Sequence, residues 1–310
     1  MRKQYELTKP LYAKRAEAVS KIENFWPLVF EQAPPDIDQW IQPHDSQLIN
    51  EHLRSVSVTR PELDAHGASG NPRSVRIVFE FSENDAFTDQ TLEKTFWHRR
   101  ASDGWTGMVS EPVKIHWKKG KDTTEGMTDA AVALFEARKK VGDPVAKGVP
   151  EYAALASKVE HWNGANTSFF TWFGYVSGRR YVSAEESEKA TKEYQAKREA
   201  KSAGAGADGD DAEAAEDDDD QAVEVHEAGE DLAVSIAEDL WPNAIKYFTQ
   251  AQELGDLSDP EFEEMEEGED DDDEEDDEDD QPVDIRSLVQ GKEKARPRDS
   301  NGPPPKKMKR

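Results

Sequence analysis

Val75-Arg76-Ile77-Val78-Phe79-Glu80-Phe81 is the stretch whose reading decides the fold. Val75, Ile77, Phe79 and Phe81 recur at every second position, the period of a β-strand, and Arg76 and Glu80 fall on the opposite face. A strand with one apolar and one polar face belongs to a sheet covered on one side. Working outward, Val56 and Val58 alternate with Ser55 and Ser57 as an earlier strand, and Gly67–Pro72 is turn material. Leu92–His98 and Val113–Trp117 read as two later strands. These runs follow one another through short polar links, so an antiparallel sheet under helices, an α+β fold, is expected.

The flanks are helical. Met1–Trp26 carries Leu11, Ala18 and Phe25 in one row seven apart and Tyr5, Tyr12, Val19 and Trp26 in another, with Ile22 between them. That stripe suits either a core-facing helix or half of a dimer seam. Pro10 should kink this helix or mark its effective start. Asp45–Leu53, Ala130–Val141, Glu151–Val159 and Ala184–Ala200 read as further helices. Ser168-Phe169-Phe170-Thr171-Trp172-Phe173 is the densest aromatic cluster, suited to a core and, less readily, to base stacking. Leu232, Ile236, Leu240 and Trp241 have helical spacing, with Asp231, Glu238 and Asp239 on the other face and Pro242 as a stop.

Charge divides the chain. Residues 1–200 carry 28 Lys+Arg against 29 Asp+Glu, residues 201–290 carry 3 against 36, and residues 291–310 carry 8 against 2. Within Glu261–Asp280, 17 of 20 residues are acidic, interrupted by Phe262, Met265 and Gly268. Such a segment has too little apolar surface to offset the entropy of ordering, so a disordered polyanion serving a cationic partner is expected. The divisions expected are a helix over 1–27 and a folded domain over 28–257. A mobile acidic loop at about 201–228 interrupts that domain, an acidic arm covers 258–290, and a basic tail covers 291–310. Lys306, Lys307, Lys309 and Arg310 form a cluster of the kind read by nuclear import receptors.

Signals for chemistry are missing from the sequence. It has no cysteine, and no Gly-rich phosphate loop, HExxH motif or nucleophile elbow occurs. Its abundant carboxylates have nothing to split their pKa values, as acid–base work requires. No enzyme, metal site or cofactor is expected, and no apolar run reaches the length that crosses a bilayer. Lys118, Lys119 and Lys121, after the last strand read, suit a solvated turn or a phosphate contact on DNA.

Five stretches in order, together with the acidic tail, resemble the nucleosome assembly protein family on its SET, or template-activating-factor, branch. They are Lys21-Ile-Glu-Asn-Phe-Trp26, Val75-Arg-Ile-Val-Phe-Glu-Phe-Ser-Glu-Asn84, Lys114-Ile-His-Trp-Lys-Lys-Gly-Lys-Asp122, Ser168-Phe-Phe-Thr-Trp-Phe173 and Glu238-Asp-Leu-Trp-Pro-Asn243. The branch includes fungal cofactors of histone acetyltransferases.

The resemblance implies a dimerising helix and an "earmuff" domain over a four-stranded antiparallel sheet. It also implies a non-catalytic activity: holding core histones, shielding them from DNA and delivering them for nucleosome assembly. By position, Asp231, Glu238 and Asp239 would meet histones, joined by arm residues Glu263, Glu264, Glu266, Glu267, Asp271, Asp272 and Asp273. Leu11, Tyr12, Ala18, Val19, Ile22 and Phe25 would form the homodimer seam.

The chain departs from the family pattern in two places. Its first helix is shorter than the family's, as a truncated N-terminus would make it, so a weakened dimer is expected. Residues 123–167 look longer than in animal SET proteins, where an acetyltransferase could dock. Regulation or scaffolding of a nuclear enzyme, or nucleic-acid binding with weak DNA contact, are the rival functions. Changing Lys306, Lys307, Lys309 and Arg310 together to Ala should move a fluorescent fusion from nucleus to cytoplasm; retention in the nucleus would assign import to another signal.

Overall fold

A computed structural model describes residues 1–67, 70–162, 167–202 and 223–257. The expected arm (258–290) and basic tail (291–310), and the acidic run of the internal loop up to residue 222, lie outside the described residues.

Four strands form one antiparallel sheet in the order β1 (Leu53–Thr59), β2 (Val75–Phe81), β3 (Thr91–Arg100), β4 (Thr106–Ser110). Register aligns Val56 with Phe79 and Phe79 with Leu92, so the alternating apolar residues share one buried face. The other face presents Arg76 and Glu93, ion-paired at 3.1 Å.

The fourth strand departs from the sequence reading. Val113–Trp117 is not a strand; only a single bridge joins Phe87 to Trp117. β4 instead follows β3 through the turn at Asp103-Gly104, where Gly104 has φ +96°, a value favouring glycine. The Ala101 N–H closes this turn onto the Trp105 carbonyl at 2.8 Å.

The N-terminal helix also divides. α1 spans Arg2–Val19 and contains Pro10; α2 spans Phe25–Glu31. Between them Asn24 adopts φ 54°. Pro27 explains the break: deep inside one continuous helix its ring would strike the carbonyl four residues back, whereas in the first turn of α2 its missing N–H costs nothing. α2 then packs between β1 and the last described helix, α10 (Ala244–Leu257), with Phe25 stacked on Phe248 at 4.8 Å. α3 (Pro35–Asp38), α4 (Pro43–His52) and α5 (Pro61–His66) are short, and each begins with proline, whose fixed φ suits that position.

Under the sheet lies a 3-10 turn, Phe169–Gly174, made of the aromatic cluster. Phe169, Phe170, Trp172 and Phe173 are all buried, so this cluster is core rather than a stacking platform. The Phe79 ring meets those of Phe169, Trp172 and Phe173 at 5.8, 6.2 and 5.9 Å, all edge-on. Asp45, fully buried, accepts from the Ser168 hydroxyl and the Phe169 N–H, both at 2.7 Å, and fixes the start of the turn.

Lys94 occupies an inward position of β3 beside Leu92 and Phe96 and is fully buried. Its Nζ donates to the carbonyls of Glu111, Phe173 and Tyr175 at 3.0, 2.9 and 2.6 Å. Burial pushes this amine well below the usual lysine range, opposed by the carboxylates of Glu224 and Glu111. Three acceptors for three N–H bonds fit the ammonium form.

Behind the turn, α6 (Met127–Val141) and α7 (Pro150–His161) enclose a second cluster around Ala131, Leu134, Leu155 and Val225. α8 (Ala184–Ser202) runs beside β3, where the Ser187 hydroxyl accepts from the Arg100 N–H. Of the span read as an internal loop, 201–228, the first two residues belong to α8, which reaches Ser202, and Val225 and His226 are buried.

Replacing Trp172 by Ala should cost ~3–5 kcal/mol in urea unfolding, because a fully enclosed indole leaves a large cavity. Trp241, half-buried, should cost about half as much. Equal losses would mean that Trp241 is held by more than its packing.

Candidate functional site

The three carboxylates read as partner-facing are carried by α9 (Gly229–Ser235) and the widened π turn Ile236–Leu240 that continues it. Gly229 starts α9 because a Cβ there would lie 2.1 Å from the Tyr175 ring. Its carbonyl accepts from the Trp172 indole at 2.9 Å, fastening α9 to the aromatic turn. Leu232, Ala233, Ile236, Ala237 and Leu240 fill the core, so Asp231 and Glu238 point to solvent and Asp239 lies half-buried. The extra residue in the π turn keeps Leu240 inside while the Trp241 indole reaches the Val56 carbonyl of β1 at 3.0 Å.

These carboxylates are not equivalent. Glu238 pairs with Arg60 at 3.2 Å. Asp239 accepts from the Tyr247 hydroxyl at 3.1 Å and the Asn243 amide at 2.8 Å. Burial, and then that bond to Asp239, raise the Tyr247 pKa. Asp231 meets no partner among the described residues. Glu230 beside it turns inward to the Met108 N–H at 3.1 Å, and burial raises its pKa.

Arg15 ties α1 to the same region. Its guanidinium lies 4.6 Å from the Tyr12 ring and 4.4 Å from the Trp241 ring. It also donates to the carbonyls of Trp241 and Pro242 at 2.7 and 3.1 Å. These contacts sort the expected dimer seam. Val19 and Phe25 are buried in their own chain's core, which removes them from a second subunit's reach. Tyr12 is half-buried against Trp241 at 4.3 Å. Leu11 and Ile22 remain 60% and 43% exposed, Ala18 is exposed, and Leu7 joins them at 64%.

The basic turn belongs to other elements. Lys118 is half-buried and spends its ammonium on the Asn84 carbonyl at 2.6 Å, bracing the β2–β3 loop. Lys119 and Lys121 are exposed. The arm residues Glu263, Glu264, Glu266, Glu267, Asp271, Asp272 and Asp273, and the basic residues Lys306, Lys307, Lys309 and Arg310, lie outside the described residues. Among the described residues no group of three His, Asp or Glu side chains converges as metal ligands, and no helix is long and apolar enough to cross a membrane.

The model of the nucleosome assembly protein family matches residues 2–251. The chain belongs to this family. Among relatives of the nucleosome assembly protein family, one in Schizosaccharomyces pombe carries a nucleosome assembly protein name and is 28% identical over 261 residues, 81% of this chain and 72% of its own. NAP1-related protein 2 of Oryza sativa subsp. indica is 26% identical, covering 83% of this chain and 69% of its own. Human Protein SETSIP is 31% identical over 120 residues, 39% of this chain and 37% of its own. Two solved structures are also similar. That of Ccp1 has 27% identity and TM-score 0.44 over 81% of this chain and 85% of its own. That of the Vps75 histone chaperone has 19% identity and TM-score 0.43 over 81% and 88%.

The sequence reading missed His226, which is 2% exposed with neither ring nitrogen bonded, its ring 4.4 Å from that of Trp40. Burial pushes its pKa down to about 4. Unfolded, the imidazole titrates near ~6.5, so the unfolded state takes up the proton first as pH falls. The stability this residue contributes is present above that value and is lost as pH drops toward 4. Between about pH 7 and about pH 5 the loss should be about 2 kcal/mol. His226→Phe should flatten that slope in denaturation curves, since neither nitrogen holds a partner. An unchanged slope would assign the acid sensitivity to another group.

Proposed function

We propose that this protein is a non-catalytic histone chaperone that binds core histones, keeps them off DNA and releases them for nucleosome assembly. The observation that carries the proposal is the charge division within a nucleosome assembly protein family member: a body of 28 cationic against 29 acidic residues, followed by 36 acidic against 3 cationic over residues 201–290. Histones hold DNA through many phosphate contacts, and a dense polyanion competes for the same cations. The polyanion speeds encounter and prevents aggregation, while a folded surface supplies geometry.

On this reading Asp231 and the outer edge of Glu238 meet the histone from the body, and Glu263 to Asp273 meet it from the arm. Asp239 acts mainly by holding Tyr247 and Asn243. The exposed row Leu7, Leu11, Ala18 and Ile22 serves a two-fold contact with a second copy of the chain. Within the basic turn, Lys119 and Lys121 are the exposed cations that would touch nearby DNA. The terminal basic cluster addresses the complex to the nucleus.

Purified core histones should be retained by the full chain at ~0.15 M salt and lost progressively toward ~0.5 M, with naked DNA unretained throughout. Retained DNA with unretained histones would sink the chaperone function. Deleting residues 261–280 should slow histone association and weaken it most at low salt, because exposed charges are screened within ~8 Å at physiological ionic strength. If the shortened chain binds like the full one at every salt concentration, the arm is no histone contact.

A further inference from the structure

A cavity of about 480 Å³ opens beside α6. That volume lies within the ~300–1,000 Å³ that small-molecule sites occupy. Its floor is apolar: Ala131 and Leu134 of α6, Leu155 of α7 and Val225 all line it and are all buried. Phe135 and Tyr181, edge-on at 5.1 Å, form one wall. Residues 203–222, which lead into Val223 at its edge, are Ala, Gly, Asp, Glu and one Gln, so the adjoining chain supplies no large apolar side chain to fill it.

The acids that line this cavity are already engaged. Glu186 is gripped by both terminal nitrogens of Arg180, at 2.9 and 2.6 Å. Glu224 accepts from the N–H groups of Val176, Ser177 and Val225 at 2.9, 3.1 and 2.8 Å. Burial pushes its carboxyl up to about 7, so near neutral pH it sets less than a full charge against an anion. Glu111 accepts from the Tyr181 hydroxyl at 3.3 Å, and Asp143 from the Val145 N–H at 2.9 Å.

Arg138 is not so engaged. It is half-buried, donates from Nε to the Ala146 carbonyl at 3.2 Å, and lies 5.6 Å from the centre of the Tyr152 ring. These contacts fix the guanidinium but leave both terminal nitrogens without an acceptor among the described residues. Burial lowers its pKa, against the opposing pull of Tyr152 and Asp143. A guanidinium that has lost part of its water gains when a carboxylate arrives. Lys139 beside it is exposed and also lines the cavity. Ala131 and Arg138 are seven residues apart on α6, ~10 Å of helix, so an apolar floor and a cationic mouth are separated by the length of a hydrocarbon chain.

We propose that this cavity binds a small carboxylate with an unbranched hydrocarbon body, a medium-chain fatty acid in type. The carboxylate meets the two free terminal nitrogens of Arg138 side by side, with Lys139 adding charge. The chain runs inward along α6 to Leu134, Leu155 and Val225, where each methylene leaves water. The inference rests on the cavity and owes nothing to the histone function. An occupied cavity would tie α6 and α7 to the first turn of α8 and to Val223–Val225.

The test is calorimetric titration of the full chain with octanoate, with octan-1-ol as the uncharged probe and octylammonium as the charge-reversed one. Octanoate should bind saturably at one site, with the other two at least about ten-fold weaker. Hexanoate, two methylenes shorter, should be weaker by roughly ten-fold. Arg138→Gln should cost about ten-fold in octanoate affinity. Lys140→Gln removes the same charge from an exposed position of α6 outside the lining and should change nothing. Val223→Trp should fill the cavity and abolish binding, with thermal melting to verify folding. Nuclear Overhauser contacts from the octanoate chain to the Leu155 and Val225 methyls of the wild-type chain locate the ligand without any substitution. Octan-1-ol or octylammonium binding as tightly as octanoate overturns the anion chemistry, as does full affinity in Arg138→Gln. Contacts to methyls elsewhere, or no saturable binding of octanoate, overturn the site.

Discussion

An ammonium buried beneath a sheet needs its acceptors brought to it, and Lys94 organises the interior on that demand. Its three carbonyls come from Glu111, beyond β4, and from Phe173 and Tyr175, at the end of the aromatic turn. Removing one member of a buried polar set leaves the others unsatisfied, so the geometry is fixed as a whole. The turn held by Lys94 then offers the Trp172 indole to Gly229, and Gly229 begins α9. The outward carboxylates of α9 thus owe their positions in part to a lysine buried on β3.

The body and the acidic segments use charge differently. In the body, Arg99 meets Glu62 at 2.6 Å, Arg180 meets Glu186 at 2.6 Å and Arg179 meets Asp103 at 3.0 Å. These pairs brace α5 against β3, and the segment before α8 against both α8 and the β3–β4 turn. Such pairing suits a stretch with 28 cationic and 29 acidic residues. The acidic segments have almost no cations to pair with, whatever their conformation. On the proposed function, the body would recognise with a few positioned groups and the arm would attract by charge density.

Much of the fold was readable because strand period is a local property. β1, β2 and β3 were legible from Val56, Val58, Val75 to Phe81, and Leu92 to His98. β4 was missed because Val113–Trp117 looks more strand-like than Thr106–Ser110, whose two ends are Thr and Ser. The Asp103-Gly104 turn was the overlooked signal. The break near Asn24 was legible in Pro27, but the apolar row running through Phe25 outweighed it. At the candidate site, Asp231, Glu238 and Asp239 stood out through helical spacing, whereas Asp36 and Trp40 did not. These two meet α9 only because α3 packs against it, a contact between segments almost two hundred residues apart that no local period reports. Lys94 was visible in principle: a lysine at the inward position between Leu92 and Phe96 must be satisfied by something distant.

Arg15 closes a circuit between the first helix and the end of the π turn, across 226 residues of chain. During synthesis at roughly 5–20 residues per second, α1 leaves the ribosome roughly 10–45 seconds before Trp241 does. Through that interval Tyr12 lacks the indole it packs against, and Arg15 lacks the two carbonyls it caps. Both apolar rows of the α1 stripe are then bare at once, in a nascent chain whose acidic segments are still mostly unmade. Docking of the middle of the first helix onto the π turn therefore waits until Trp241 and Pro242 have been made, and the surface around Tyr12 and Arg15 is defined only then.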